Sequence, residues 1–260
     1  LEFDPEILKR YVNFMNNPDE KTAVDQFGKG EKYFGICTMM ATMPGLPMFG
    51  HGQIEGYAEK YGMEYYRPYW DEEPDKYLIH RHQQAVFPLL KRRDLFSGVN
   101  NFLLYDFYSG DGHVNEDVFA YSNGNGRQNG LVVFHNRFGS TSGWIRTSAS
   151  YLNKHSGNFE NRTLHEGLNI SGLSNRFTIF RDSDSGMEFI RSSREIMEKG
   201  LFFNLNAYEC HVFLDFREVE ENGYGQYSQL NDYLDGRGVP SIDIALKLSL
   251  IHISEPTRPY

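Results

Sequence analysis

Phe14-Met15-Asn16-Asn17-Pro18-Asp19 lies between an apolar segment and a polar one, and its reading decides the fold. Just before it, Tyr11, Val12, Phe14 and Met15 give residues 11–15 the aromatic and β-branched character of a short buried strand. Asn17-Pro18 is a turn-forming pair that closes the strand. Asn17 can also cap a helix with Pro18 in its first position and Glu20 at capping-box spacing, which predicts a helix from Pro18 through Val24.

Working outward, Tyr33, Phe34, Ile36, Cys37, Met40 and Ala41 recur at helical spacing over residues 31–43, and Pro44-Gly45 stops that run. Residues 46–49 read as a second short strand. The glycines of Gly50-His51-Gly52 and Gly56 make its exit loop tight. A loop carrying Tyr57, Tyr61, Tyr65, Tyr66, Tyr69 and Trp70 follows, with rings expected chiefly to pack on the rim of the fold and, as the alternative, to stack on the apolar face of a ligand. Leu78, Ile79, Ala85, Val86, Leu89 and Leu90 then mark one face of a helix over residues 75–93. Two strand–helix units in succession are the grammar of a parallel α/β fold.

After Phe96 the pattern changes. Strand-like runs at 102–107, 118–121, 131–134, 177–180 and 210–216 are separated by turn clusters such as Asn123-Gly124-Asn125-Gly126, which predicts a separate antiparallel β domain. Residues 138–176 are polar and read as a long irregular insertion, with Trp144, Ile145 and Tyr151 as core candidates before Leu164. Residues 226–234 and 240–247 read as short helices. The expected division is 1–98, 99–221 and 222–247. Residues 248–260 resemble the translated read-through of a sequencing adaptor and are set apart from the fold.

The chain has 260 residues, 40% hydrophobic and 15% aromatic, enough to bury a substantial core. A formal net charge of -9 and a pI near 5.5 argue against nucleic acid or an anionic membrane as partner, since both need a basic face. An uncharged ligand is compatible. No apolar run reaches the ~20 residues of a membrane span. Cys37 and Cys210 read as two buried thiols rather than a disulfide. His80 and His82 are two apart and point to different helix faces, and Asp182-Ser183-Asp184-Ser185-Gly186 lacks the later ligands of a calcium loop. No metal or cofactor is expected. Localisation and oligomeric state stay open, the cytoplasm being the favoured compartment.

Phe14 through Asp19 resembles the motif Phe-x-x-Asn-His-Asp that ends the seventh barrel strand in the alpha-amylase superfamily, and Pro44-Gly45-Leu46-Pro47 resembles the family's Pro-Gly-x-Pro segment and eighth strand. The resemblance extends over roughly residues 8 to 246. It implies the last two βα units of a (β/α)8 TIM-type barrel followed by an antiparallel β-sandwich domain, in a chain truncated at both ends.

It further implies a fragment of a retaining glycoside hydrolase acting on α-glucosidic linkages, with an oligo- or polysaccharide α-glucan as partner. In that family the nucleophile and general acid stand on earlier strands, so this chain alone is expected to be inactive. By resemblance Asp19 is the third acid, which binds sugar hydroxyls and stabilises the transition state. Its plain reading is a carboxylate favoured by a helix N-terminus. Asn17, His51, Gln53 and Glu55 are candidate substrate-binding residues by position, with capping for Asn17 and loop-stabilising hydrogen bonds for the other three as alternatives. Pro18 stands where the family has histidine and removes one ligand contact. That departure keeps a second reading open, a catalytically dead amylase-like carbohydrate-binding or interaction module.

Overall fold

In the computed structural model, which describes residues 2–62 and 66–254, the chain opens with strand β1 (Glu2–Phe3) and a 3-10 turn over Pro5–Arg10. Strand β2 (Val12–Phe14), helices α1 (Ala23–Phe27) and α2 (Glu31–Thr42) and strand β3 (Leu46–Met48) follow. β2 and β3 pair in parallel, with Val12 opposite Leu46 and Phe14 opposite Met48. The strand–helix–strand order is the one the sequence predicts.

Two details differ. The helix expected from Pro18 begins at Ala23, capped by the Thr22 hydroxyl, which accepts from Asp25 N at 3.4 Å. Asn17 does accept from the N–H groups of Asp19 and Glu20, at 2.8 and 3.1 Å, but closes only a turn. Two capping residues compete here, and the helix forms behind Thr22, where Ala23 is buried. The first strand, expected to be buried, exposes one face together with its partner, with Val12 at 46%, Phe14 at 43%, Leu46 at 63% and Met48 at 36%. A two-stranded ribbon has two faces, and among the described residues no element covers this one.

Helix α3 (Lys76–Arg81) runs through a π turn at His82–Val86 into α4 (Phe87–Leu90), and α5 (Arg93–Phe96) follows. The π turn sits where Pro88 enters: proline lacks the N–H and crowds the carbonyl one turn back, and the Phe87 N–H reaches His82 O, one residue further than in an α-helix.

The β region holds β4 (Leu103–Ser109), β5 (Val118–Gly124), β6 (Asn129–His135), β7 (Thr141–Ser148), β8 (Ser150–Asn153) and β9 (Asn158–Glu160). After α6 (Leu164–Gly167) come β10 (Arg176–Asp182), β11 (Glu188–Ser192), α7 (Ser193–Lys199), β12 (Leu201–Leu205) and β13 (Cys210–Glu220). Eight of these strands form one antiparallel sheet in the order β11-β10-β13-β6-β5-β4-β7-β12, while β1, β8 and β9 make a small sheet of three.

The expected sandwich is therefore a single curled sheet. Phe203 on β12 and Phe213 on β13 have ring centroids 5.7 Å apart although β6, β5, β4 and β7 lie between their strands. In a flat sheet those strands would stand about 24 Å apart. The curl brings the flanks together over Leu103, Phe107, Leu131, Val133, Ile145 and Phe213.

The segment expected to be an irregular insertion contains β7, β8, β9 and α6. In β7 the inward positions include Gly143, where an added Cβ would lie 2.2 Å from Tyr108 O, so Ile145 is its one large inward side chain and the alternation is hard to read. Helix α8 (Gln226–Leu234) spans the predicted residues. Helix α9 (Ile242–Ser254) runs past the predicted end into the segment set apart, of which residues 255–260 lie outside the described residues.

The two regions share a core. Phe34, Cys37 and Met40 of α2 cluster with Tyr121, Val132, Val212 and Leu214 of the sheet. Gly35 lets the helix approach, since a Cβ there would stand 2.1 Å from the Phe134 ring. Thr42 Oγ1 and Tyr121 OH share a hydrogen bond of 2.6 Å, and Arg93 donates to the carbonyls of Ala41, Met43 and Gly45 at 2.7, 3.1 and 2.6 Å, holding the end of α2. Both cysteines are free thiols, Cys37 buried and Cys210 half-buried. No described helix is long and apolar enough to cross a membrane.

Candidate functional site

Because β2 and β3 are parallel neighbours, the loops leaving their C-terminal ends emerge on the same side. The first carries Asn17 and Asp19, the second His51, Gln53 and Glu55. The strands are held in register by the Asn13 carboxamide, which donates to Pro44 O at 2.8 Å, and by Leu46 N, which donates to Tyr11 O at 2.9 Å.

Asp19 is exposed, and its carboxylate has no hydrogen-bond or ion-pair partner among the described residues. Its backbone is fixed: the N–H donates to Asn17 and the carbonyl accepts from Lys60 Nζ at 3.1 Å, which ties this turn to the loop after β3. Asn17 thus has the local role open to it in the sequence, orienting the turn that presents Asp19.

Gln53 is placed differently from a ligand-binding side chain. It is buried, its Oε1 accepts from Gly50 N at 3.1 Å, and its Nε2 points at Met15 Sδ, 3.2 Å away. It clasps one loop to the strand that bears the other. Beneath it Tyr33 OH donates to Gln53 O at 2.8 Å and lies 3.1 Å from His82 Nε2, while His82 Nδ1 donates to Leu78 O at 2.9 Å. Burial lowers the His82 pKa, and burial likewise pushes the Tyr33 phenol up. Glu55 is half-buried, and its backbone carbonyl accepts from Asp75 N at 2.8 Å.

His51 is exposed and stands beside two tyrosines, with ring centroids 5.0 Å from Tyr61 and 6.4 Å from Tyr57. These rings, with Pro68, Trp70 and Asp71, line a cleft of about 210 Å³. The rings expected to pack on the rim are instead largely open to solvent, Tyr66 at 96% and Trp70 at 58%, and Tyr65 lies outside the described residues. Two carboxylates hold the loop by its backbone in their place. Glu59 accepts from the N–H groups of Tyr69 and Trp70 at 2.8 and 3.0 Å, and Glu72 from those of Ala58 and Glu59 at 2.7 and 2.9 Å.

Sequence reasoning missed these two clips, because Glu72 and Ala58 are fourteen residues apart with no periodic relation. It also missed Asn16, which is buried with its Oδ1 unpaired and its carboxamide against Gly50, where a Cβ would lie 2.5 Å from Asn16 Nδ2. The adjacent glycine in the second loop was the available signal. Among the described residues no group of three or more His, Cys, Asp or Glu is arranged to hold a metal ion.

No family model matches the sequence. No curated protein matches it either. Solved structures match by shape. A cyclomaltodextrin glucanotransferase, the first with a three-domain ABC distribution, aligns with a TM-score of 0.52 at 14% identity over 82% of this chain and 38% of that one. The alpha-amylase of Geobacillus thermoleovorans complexed with acarbose gives 0.49 at 11% identity over 80% of this chain and 39% of that one. The alpha-amylase of H. orenii gives 0.46 at 16% identity, over 78% and 39%. The chain spans about two fifths of the length of these structures, and at such identities the likeness is one of fold. Over about four fifths of its length, the chain has the fold of the corresponding part of an alpha-amylase-type structure.

Proposed function

We propose that the chain is the carboxy-terminal part of a retaining, alpha-amylase-like glycoside hydrolase that acts on α-glucosidic linkages, and that Asp19 is its transition-state-stabilising carboxylate. The supporting observation is the parallel pair β2 and β3, whose C-terminal loops bring Asp19 and the ring-lined His51 cleft to one side. In a (β/α)8 barrel, active sites form at that end of the strands. The uncovered row Val12, Phe14, Leu46 and Met48 is then the face that further barrel strands would cover.

A carboxylate left without protein partners accepts hydrogen bonds from sugar hydroxyls, and these strengthen as positive charge develops on the ring. His51 and Glu55 flank the ligand and Asn17 sets the turn. Glu59 and Glu72 are occupied with backbone N–H groups, and the nucleophile and general acid of the proposed enzyme stand, as in the family it resembles, on earlier strands. The chain by itself is inactive.

Pro18 favours a second reading, an amylase-like module that binds glucan without cleaving it, because the position offers no side-chain contact to a sugar. Turnover of maltooligosaccharides by the 260-residue chain would contradict the main proposal. In an extended chain carrying the preceding strands, Asp19→Asn should lower kcat by about 10²-fold or more. Binding without turnover in that extended chain would support the module.

A further inference from the structure

The outer face of β4, β7 and β12 carries a row of rings. Tyr108 is registered against Trp144 across β4 and β7, and Trp144 against Phe202 across β7 and β12. Each points away from the curled core: its strand neighbours Phe107, Ile145 and Leu201 are buried, while Tyr108 is 37% and Phe202 43% exposed. Neighbouring strands stand about 4.8 Å apart, so the row is about 10 Å long. Trp144 and Phe202 have centroids 5.1 Å apart with ring planes at 54°.

Trp144 is also the wall between two clefts. One, of about 320 Å³, offers Asn231, Asp232 and Asp235; the other, of about 590 Å³, offers Arg146, Thr147 and Lys199. The Trp144 indole N–H makes no hydrogen bond among the described residues.

We infer that this face is a second carbohydrate-binding surface, which takes a short α-1,4-linked glucan along the row Tyr108–Trp144–Phe202. The substrate class rests on the function proposed above; the residues do not. Aromatic faces match the apolar C–H faces of pyranose rings. Donors and acceptors of both signs stand at the two ends, with Lys199 paired to Glu195 at 3.1 Å, so the rim has no single-sign field and suits a neutral polyol rather than an anion. Rings inclined by 54° present faces that turn from one to the next, as successive sugars do in an α-1,4 chain; a flat β-1,4 ribbon would call for coplanar rings.

The chain has two tryptophans, Trp70 and Trp144, so Trp70→Phe leaves Trp144 as the one indole reporter. Titration of that full-length variant with maltoheptaose should give a saturable change in fluorescence, and cellohexaose none. By calorimetry, Trp144→Ala should weaken maltoheptaose binding about tenfold, and Phe202→Ala, at a position 43% exposed, about threefold. No saturable change at Trp144 overturns the inference, as does an equal response to cellohexaose. So does a Trp144→Ala variant that binds as before but sediments as a smaller species, which would assign the face to a second copy of the chain. The strand-end site is read separately, by Asp19-dependent turnover in the extended enzyme, so either reading can fail without the other.

Discussion

The two regions of the molecule use strands in opposite ways. In the β region, strands of mostly four to eleven residues curl until their flanks meet, and Phe107, Leu131, Val133 and Ile145 are fully buried. In the α/β region, two strands of three residues each form a ribbon with one bare face, and the packing that holds them comes from helices. A curled antiparallel sheet completes its core from its own hairpins. A parallel pair needs crossover connections and further neighbours, so its stability here is borrowed through α2 from the sheet behind it.

Deleting rings tests that contrast most strongly. Phe134 is fully buried under α2, and Phe134→Ala should cost about 4 kcal/mol in denaturant unfolding. Phe14→Ala, at a site 43% exposed, should cost less than about 1 kcal/mol. Equal losses would mean that the bare face is covered in solution. The next effect lies at the junction. Gly35→Ala puts a methyl group into the Phe134 ring and should cost about 2 to 3 kcal/mol, whereas Gly98→Ala, with open space around it, should be nearly neutral. If α2 is the link between regions, Gly35→Ala should also separate one unfolding transition into two. Arg93→Ala comes third: it frees the carbonyls of Ala41, Met43 and Gly45 and should cost about 2 kcal/mol, concentrated in the α/β region.

Legibility in the sequence followed the same division. The α2 helix and the strand order around it were readable because Tyr33, Phe34, Cys37, Met40 and Ala41 recur at helical spacing and Pro44-Gly45 ends the run. Strands β5, β6 and β13 were readable because their apolar runs are flanked by turn residues. β7 was not, since Gly143 stands at an inward position and Trp144 at an outward one, which inverts the expected pattern. Single-sheet curl was not legible either, because it depends on which distant strands meet. At the candidate site the sequence placed Asp19 and His51 at neighbouring strand ends, and the β2–β3 pairing bears that out. It could not tell that Gln53 turns inward, because that depends on Met15 and Tyr33 being close in space.

The smallest effect is also the most selective, because the regions hold half-buried or buried histidines of opposite character. Burial holds His82 below its ordinary pKa, with Leu78 O as its acceptor and no carboxylate in hydrogen-bond contact. For His211 burial acts in the same direction, but Asp182 at 3.6 Å from Nδ1 and Glu209 at 3.1 Å from Nε2 outweigh it and raise the pKa. At 3.6 Å the Asp182 contact is an ion pair rather than a hydrogen bond. An unfolded histidine titrates near 6.5. Below about 6.5 the unfolded chain takes up a proton that folded His82 resists, so the α/β region loses stability as pH falls through that value toward the folded pKa. His211 works the other way: its contribution is fully present below about 6.5 and is lost as pH rises through its raised folded value. Acidification from pH 8 to 5.5 should therefore speed amide exchange around α2 and α3 and slow it around β10 and β13, measured segment by segment by mass spectrometry after correction for intrinsic rates. His211→Gln should abolish the second trend and leave the first. A parallel shift of both regions would show that they open only together, and the contrast between a self-completing sheet and a borrowed core would then fail.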